Sequence, residues 1–90
     1  MMKLGVFGGT FNPIHYGHLL LAETAREQLA LDRVVFVPTG QPPHKRVASL
    51  LPGPVRMELL RQAIRENPAF VASDIELQRS GAIRPNRDVA

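Results

Sequence analysis

The strongest constraint on this fold is a glycine turn set between an apolar run and an amphipathic one. Lys3–Phe7, KLGVF, is a short apolar segment that stops at Gly8 and Gly9. Such a run, ended by glycines, predicts a buried strand. From about Tyr16 to Ala30 the period changes. His18, Leu21, Ala22, Ala25 and Leu29 fall on one stripe at i, i+3, i+4, i+7 and i+11, which predicts a helix with one buried face. Val34–Val37, VVFV, is β-branched and aromatic and stops at Pro38, which predicts a second strand. Strand, helix and strand within so short a stretch make one βαβ unit with parallel strands.

The rest of the chain extends that unit. Pro38 to Arg46, PTGQPPHKR, has the composition of a loop. Pro52, Gly53 and Pro54 form a second cluster of breakers. A helix is predicted over Val55–Glu66, burying Val55, Leu59, Leu60, Ala63 and Ile64, with Asn67 as its cap and Pro68 as its stop. Phe70–Ala72 and Ile75–Leu77 suggest a third strand interrupted at Ser73 and Asp74. No repeat or linker divides the chain. Residues 1–81 read as one portion of a domain, and residues 82–90, AIRPNRDVA, show no clear period.

Composition excludes some chemistry. The chain has no cysteine, so it has no thiolate metal site and no disulfide. Its first residues, MMKLGVFGGTF, are neither a secretion signal nor a spanning helix. A soluble cytoplasmic protein is expected. A net charge of +3 favours anionic partners. Nucleic acid is disfavoured among these, because Arg79, Arg84 and Arg87 come without aromatic residues for base stacking.

The turn itself points to phosphate. A helix that begins just after a parallel strand presents unpaired amides and the positive end of its dipole. Glycines there let an anion approach the backbone. Neither the G-x-G-x-x-G dinucleotide pattern nor the Walker loop is present. The chain has H-x-G-H instead, His15 to His18. One helical turn apart, the two rings can face one phosphate, with Gly17 leaving room for it. A bound phosphate would favour the cationic imidazole. A structural cap and half a metal site are the other readings of such a pair.

The stretch GVFGGTFNPIHYGHLLLAE resembles the nucleotide-binding signature of the bacterial nicotinate-nucleotide adenylyltransferases, within the H-x-G-H nucleotidyltransferase superfamily. VVFVPTGQPPHK, RMELLRQAI and SDIELQRSG continue the resemblance to about residue 81. It implies an α/β fold, a Rossmann-like parallel sheet with flanking helices, of which this chain holds the N-terminal half. It implies ATP and nicotinate mononucleotide as substrates, and Mg2+ with the ATP. Gly8, Gly9, Thr10 and Phe11 would line the cleft. His15 and His18 would contact the ATP phosphates as the catalytic pair. Lys45, in P-P-H-K, would meet the phosphate of the mononucleotide. Arg56 matches a family position and is expected to pack or cap rather than catalyse.

Two departures from the family stand out. Asn12 occupies a position where many members carry aspartate. Residues 82–90 differ from the serine-tyrosine-threonine stretch expected there, and the later motif that closes over the ATP phosphates is absent from this sequence. The 90-residue chain alone is therefore expected to turn over poorly. The alternatives are a nucleotide-binding module without activity and another adenylyltransferase of the superfamily, such as the phosphopantetheine enzyme.

Overall fold

A computed structural model describes residues 1–40 and 50–81. Lys45, His44 and residues 82–90 lie outside the described residues. The elements run β1 (Leu4–Gly9), α1 (Tyr16–Gln28), β2 (Arg33–Pro38), α2 (Gly53–Ile64), β3 (Phe70–Ala72) and α3 (Ile75–Arg79). The three strands form one parallel sheet in the order β1-β2-β3. Leu4 pairs with Arg33, and Val34 with Phe70. The architecture is the expected α/β, Rossmann-like arrangement.

The central strand explains the core. β2 is bonded on both edges, and Val34, Phe36 and Pro38 are buried along it. Phe36 is fully inaccessible and touches the rings of Phe7, Phe11 and Phe70 at centroid distances of 5.5, 5.8 and 5.0 Å. Ala22 of α1, Met57, Leu60 and Ile64 of α2, and Leu77 of α3 complete the cluster. Helices α1 and α2 meet beside Phe70, where Tyr16, Leu19 and Glu23 face Ala63 and Asn67 across a crevice.

Local chemistry sets the ends of the elements. Helix α1 ends at Leu29, and Ala30 turns left-handed with φ 53°. The Leu31 amide then donates back to the Arg26 carbonyl at 2.9 Å, which satisfies a terminal helix acceptor. Helix α2 begins two residues before the expected Val55, because Pro54 is tolerated in a first turn, where amides have no helical partner.

Three expectations are corrected. The buried side of α2 is Gly53, Arg56, Met57, Leu60 and Ile64. Val55 is 42% exposed and Ala63 is also exposed. The stripe is rotated because an arginine occupies one of its inward positions. Asn67 is not the cap of α2, which ends at Ile64 with Arg65 as its C-cap. Its Oδ1 instead accepts the Ala69 amide at 3.0 Å and shapes the turn into β3. Finally, Ile75–Leu77 is helical. Ser73 Oγ accepts the Ile75 amide, and Gln78 Nε2 donates to Asp74 Oδ1 at 2.6 Å. Only Leu77 of that segment is buried. Ser73 and Glu76 form the S-x-x-E spacing that marks helix starts, a cue outweighed by the apolar residues Ile75 and Leu77.

The leucine stripe of α1 is only partly covered by the described residues. Ala22 is buried, whereas Leu21 and Leu29 are each 59% exposed. They line an apolar groove of about 400 Å³ with Leu4, Val6 and Leu31 along the outer edge of β1. Among the described residues strand β1 has a partner on one edge only, and, against the expectation of a buried strand, none of its residues is buried and Val6 is 75% exposed.

Candidate functional site

The connection from β1 to α1 lies where the strands end, at the carboxyl edge of the sheet. Open α/β sheets bind ligands there. Gly8 is exposed, and a side chain at that position would have no close neighbour except the Val37 carbonyl at 3.9 Å. The Thr39 amide donates to the Gly9 carbonyl at 2.8 Å, holding the loop after β2 beside the loop after β1. Thr10 is exposed. Phe11 is 1% exposed and left-handed at φ 47°, a conformation that costs a bulky residue about 1–3 kcal/mol. Its ring is held edge-on against Phe7 at 5.3 Å and against His18 at 5.0 Å. Phe11 is therefore the floor under the histidines, with its side chain in the core.

His15 and His18 meet as the H-x-G-H spacing predicts. Their ring centroids are 3.8 Å apart. His15 is the N-cap of α1, and its Nδ1 accepts the Gly17 amide at 3.0 Å. His18 is the third residue of the helix, and its Nδ1 accepts the His15 amide at 3.0 Å. The pair is a reciprocal capping box built from imidazoles, with ring nitrogens in place of the usual oxygen acceptors.

This arrangement fixes the protonation pattern. A neutral imidazole has one donor and one acceptor nitrogen. Each Nδ1 is an acceptor, so each ring carries its proton on Nε2. Adding a second proton would put hydrogen on Nδ1 against a backbone N–H and break the cap. Burial, and then the neighbouring His15, lower the His18 pKa from its ordinary value. Both effects favour the neutral His18 ring in the protein by itself. With Nδ1 accepting in each ring, Nε2 is the ring nitrogen left to donate at the helix N-terminus. The first turn of α1 contains no acidic residue to repel an anion.

Gly17 also acquires a different role. A Cβ at this position would lie 2.9 Å from His15 Cε1 and 3.1 Å from its Nδ1. The missing side chain makes room for the capping imidazole, where a ligand had been expected.

Asn12 and Arg56 join the site from below. Asn12 Oδ1 accepts the Leu51 amide at 2.7 Å. An aspartate can accept the same bond, so this contact does not distinguish the two residues. Arg56 is 1% exposed. Its Nη1 donates to the Thr10 carbonyl at 2.9 Å and to the Thr39 carbonyl at 2.7 Å, and its Nε donates to the Leu51 carbonyl at 2.9 Å. Desolvation lowers its pKa from the ordinary value. The sequence signal for this role was the placement of Arg56 four residues before Leu60 and eight before Ile64, on the inward stripe of α2.

No group of three or more His, Cys, Asp or Glu among the described residues could hold a metal ion. The half-metal-site reading of the histidines therefore gains no further ligand from them. No helix among the described residues is long and apolar enough to cross a membrane.

A sequence model described as cytidylyltransferase-like matches residues 6–89. The chain is 54% identical over 80 residues to a "probable nicotinate-nucleotide adenylyltransferase" of Geotalea daltonii, covering 89% of this chain and 37% of that protein. It is 49% identical over 80 residues to the protein of the same name from Geobacter metallireducens, with the same coverage. With that of Thermomicrobium roseum it shares 48% over 81 residues, covering 90% of this chain and 38% of the relative. The chain thus spans little more than a third of the length of these relatives.

Proposed function

Because the chain belongs to the cytidylyltransferase-like family, we propose that it supplies the nucleotide-phosphate side of an adenylyltransferase using ATP and nicotinate mononucleotide. The observation that carries this reading is the histidine capping box, which leaves two adjacent Nε2–H groups beside the glycine turn. The names of the relatives supply the acceptor.

In this reaction an oxygen of the mononucleotide phosphate attacks the α-phosphorus of ATP. The bond from that phosphorus to the bridging oxygen breaks, and pyrophosphate leaves with the electron pair. The products are nicotinate adenine dinucleotide and pyrophosphate. The attacking phosphate is already anionic, so no side chain has to remove a proton. The work left to the protein is alignment and neutralisation of developing charge. His15 and His18 act as Nε2–H donors to the ATP phosphates. Gly8 and Thr10, exposed on either side of the half-buried Gly9, would border the same phosphates, with Phe11 beneath. Lys45 is proposed, from the resemblance, to meet the mononucleotide phosphate. Magnesium enters as part of the MgATP substrate, held by phosphate oxygens and water, since the described residues offer no carboxylate cluster for it. The cytoplasm, where such nucleotides are used, is the proposed location.

Calorimetry with MgATP tests the phosphate side directly. Pyrophosphate release is then measured with nicotinate mononucleotide, nicotinamide mononucleotide and phosphopantetheine as acceptors. Nicotinate mononucleotide is expected to be preferred. Preference for phosphopantetheine overturns the acceptor, and failure to bind ATP overturns the phosphate site.

A further inference from the structure

Three backbone segments converge on one buried cation at the base of the site. Thr10 belongs to the turn after β1, Thr39 to the loop after β2, and Leu51 to the approach to α2. Their carbonyls all accept hydrogen bonds from Arg56, at 2.7 to 2.9 Å. No carboxylate among the described residues forms an ion pair with Arg56. The Nε and Nη1 donors of the guanidinium are therefore committed to backbone carbonyls of three segments, in a geometry that a single ammonium cannot reproduce.

One of those carbonyls has special weight. The Thr10 C=O and the Phe11 N–H belong to the same peptide unit, and Phe11 is the left-handed residue that supports His18. Strained backbone persists where its surroundings over-determine it. Arg56 fixes the peptide on one side of Phe11, and the Phe7, Phe36 and His18 rings fix the side chain on the other. The two peptide units flanking Leu51 are likewise held, the carbonyl of one by Arg56 and the amide of the other by Asn12.

We propose that Arg56 is a positioning residue for the anion site: it clamps the turn after β1 to the loop after β2 and to the start of α2, and thereby sets the floor on which His18 stands. Nothing in this role requires Arg56 to touch a ligand. The inference rests on the proposed nucleotide function only for the identity of that ligand.

Two variants of the full 90-residue chain test it. Arg56→Met fills a similar volume but leaves the Thr10, Thr39 and Leu51 carbonyls without this donor. Arg56→Lys keeps the charge but concentrates its donors at one point. Amide hydrogen exchange is followed at Thr39 and Leu51, whose amides bond to Gly9 and Asn12. The Val34 amide, bonded to the Ala69 carbonyl in the sheet, is the control. Exchange at Thr39 and Leu51 is expected to rise roughly 10–100-fold relative to Val34, the scale of losing a hydrogen bond to a charged group. MgATP affinity is expected to fall by about 10-fold or more in both variants. Equal acceleration at all three amides would show a merely stabilising residue and overturn the proposal. So would Arg56→Lys with wild-type exchange and wild-type affinity. If Arg56→Met does not fold, Arg56→Lys decides by the same two measurements. If the wild-type chain itself does not bind MgATP, the functional reading fails, and the exchange pattern still decides whether Arg56 is the clamp.

Discussion

Replacing Gly17 by alanine separates the cap from the helix it caps. The added methyl would meet His15 Cε1 at 2.9 Å and Nδ1 at 3.1 Å. Gly17 is a helix residue, so the ring is the part free to move, and its bond to the Gly17 amide is lost or stretched. Loss of an N-cap interaction costs about 0.5–2 kcal/mol. Alanine for glycine within a helix returns about 0.5–1 kcal/mol. The net change is a destabilisation of at most about 1.5 kcal/mol, so the melting temperature should fall by no more than roughly 10 °C for a domain of this size. Ligand binding should respond more strongly. Misalignment of a donor to a charged phosphate forfeits about 1.5–3 kcal/mol, so MgATP affinity should fall by about 10-fold or more. Calorimetry, a thermal melt and the ¹⁵N shift of His15 Nδ1 measure the three effects together. Wild-type affinity with an unchanged Nδ1 shift would refute the reasoning, because the ring would then have tolerated the methyl in place.

His18→Ala should lower kcat by roughly 10²–10³ in an actively turning-over protein, as for removal of a charge-stabilising donor. It should also cost about 1 kcal/mol of stability, since His18 accepts the His15 amide. His18→Gln, which keeps an acceptor at the third helix position, should recover the melting temperature more fully than the activity. The stability of the chain should decline as pH falls below about 6.5. The His18 pKa is lowered by folding, so the unfolded chain binds the proton first and the native contribution is complete only above the unfolded value. A pH series of denaturant melts, compared with His18→Gln, checks the sign. Ala30→Gly should stabilise by about 1 kcal/mol, because Ala30 is left-handed at the end of α1; a lower denaturation midpoint would contradict this.

The strands and the histidine pair were legible because each is a local pattern. Apolar runs bounded by Gly8 and by Pro38 marked β1 and β2. A spacing of three on a helix brought His15 and His18 together whatever surrounded them. The misread parts depend on contacts between distant residues. The inward face of α2 includes Arg56, and an arginine there is tolerated only because three carbonyls from other segments await it. Gly17 was assigned to the ligand because the sequence does not reveal that the His15 ring folds back over it. Ile75–Leu77 showed the apolar residues of a strand. What decided for a helix was that only Leu77 finds the core, while Ser73 Oγ accepts the first-turn amide of Ile75 and Asp74 pairs with the Gln78 side chain one turn on.

The sheet order β1-β2-β3 follows the order of the chain. During synthesis from the N-terminus, each of these strands pairs with the next one to emerge, across a single helical crossover. The histidine cap, the Phe11 floor and the Arg56 clamp draw all their described contacts from residues 1–81. The candidate site can therefore assemble from strands and helices that pair in the order in which they emerge. Among the described residues the outer edge of β1 is unpaired beside Leu4 and Val6, a template for strand pairing between neighbouring nascent chains. Early maturity of the site and early exposure to misassembly thus have the same topological origin.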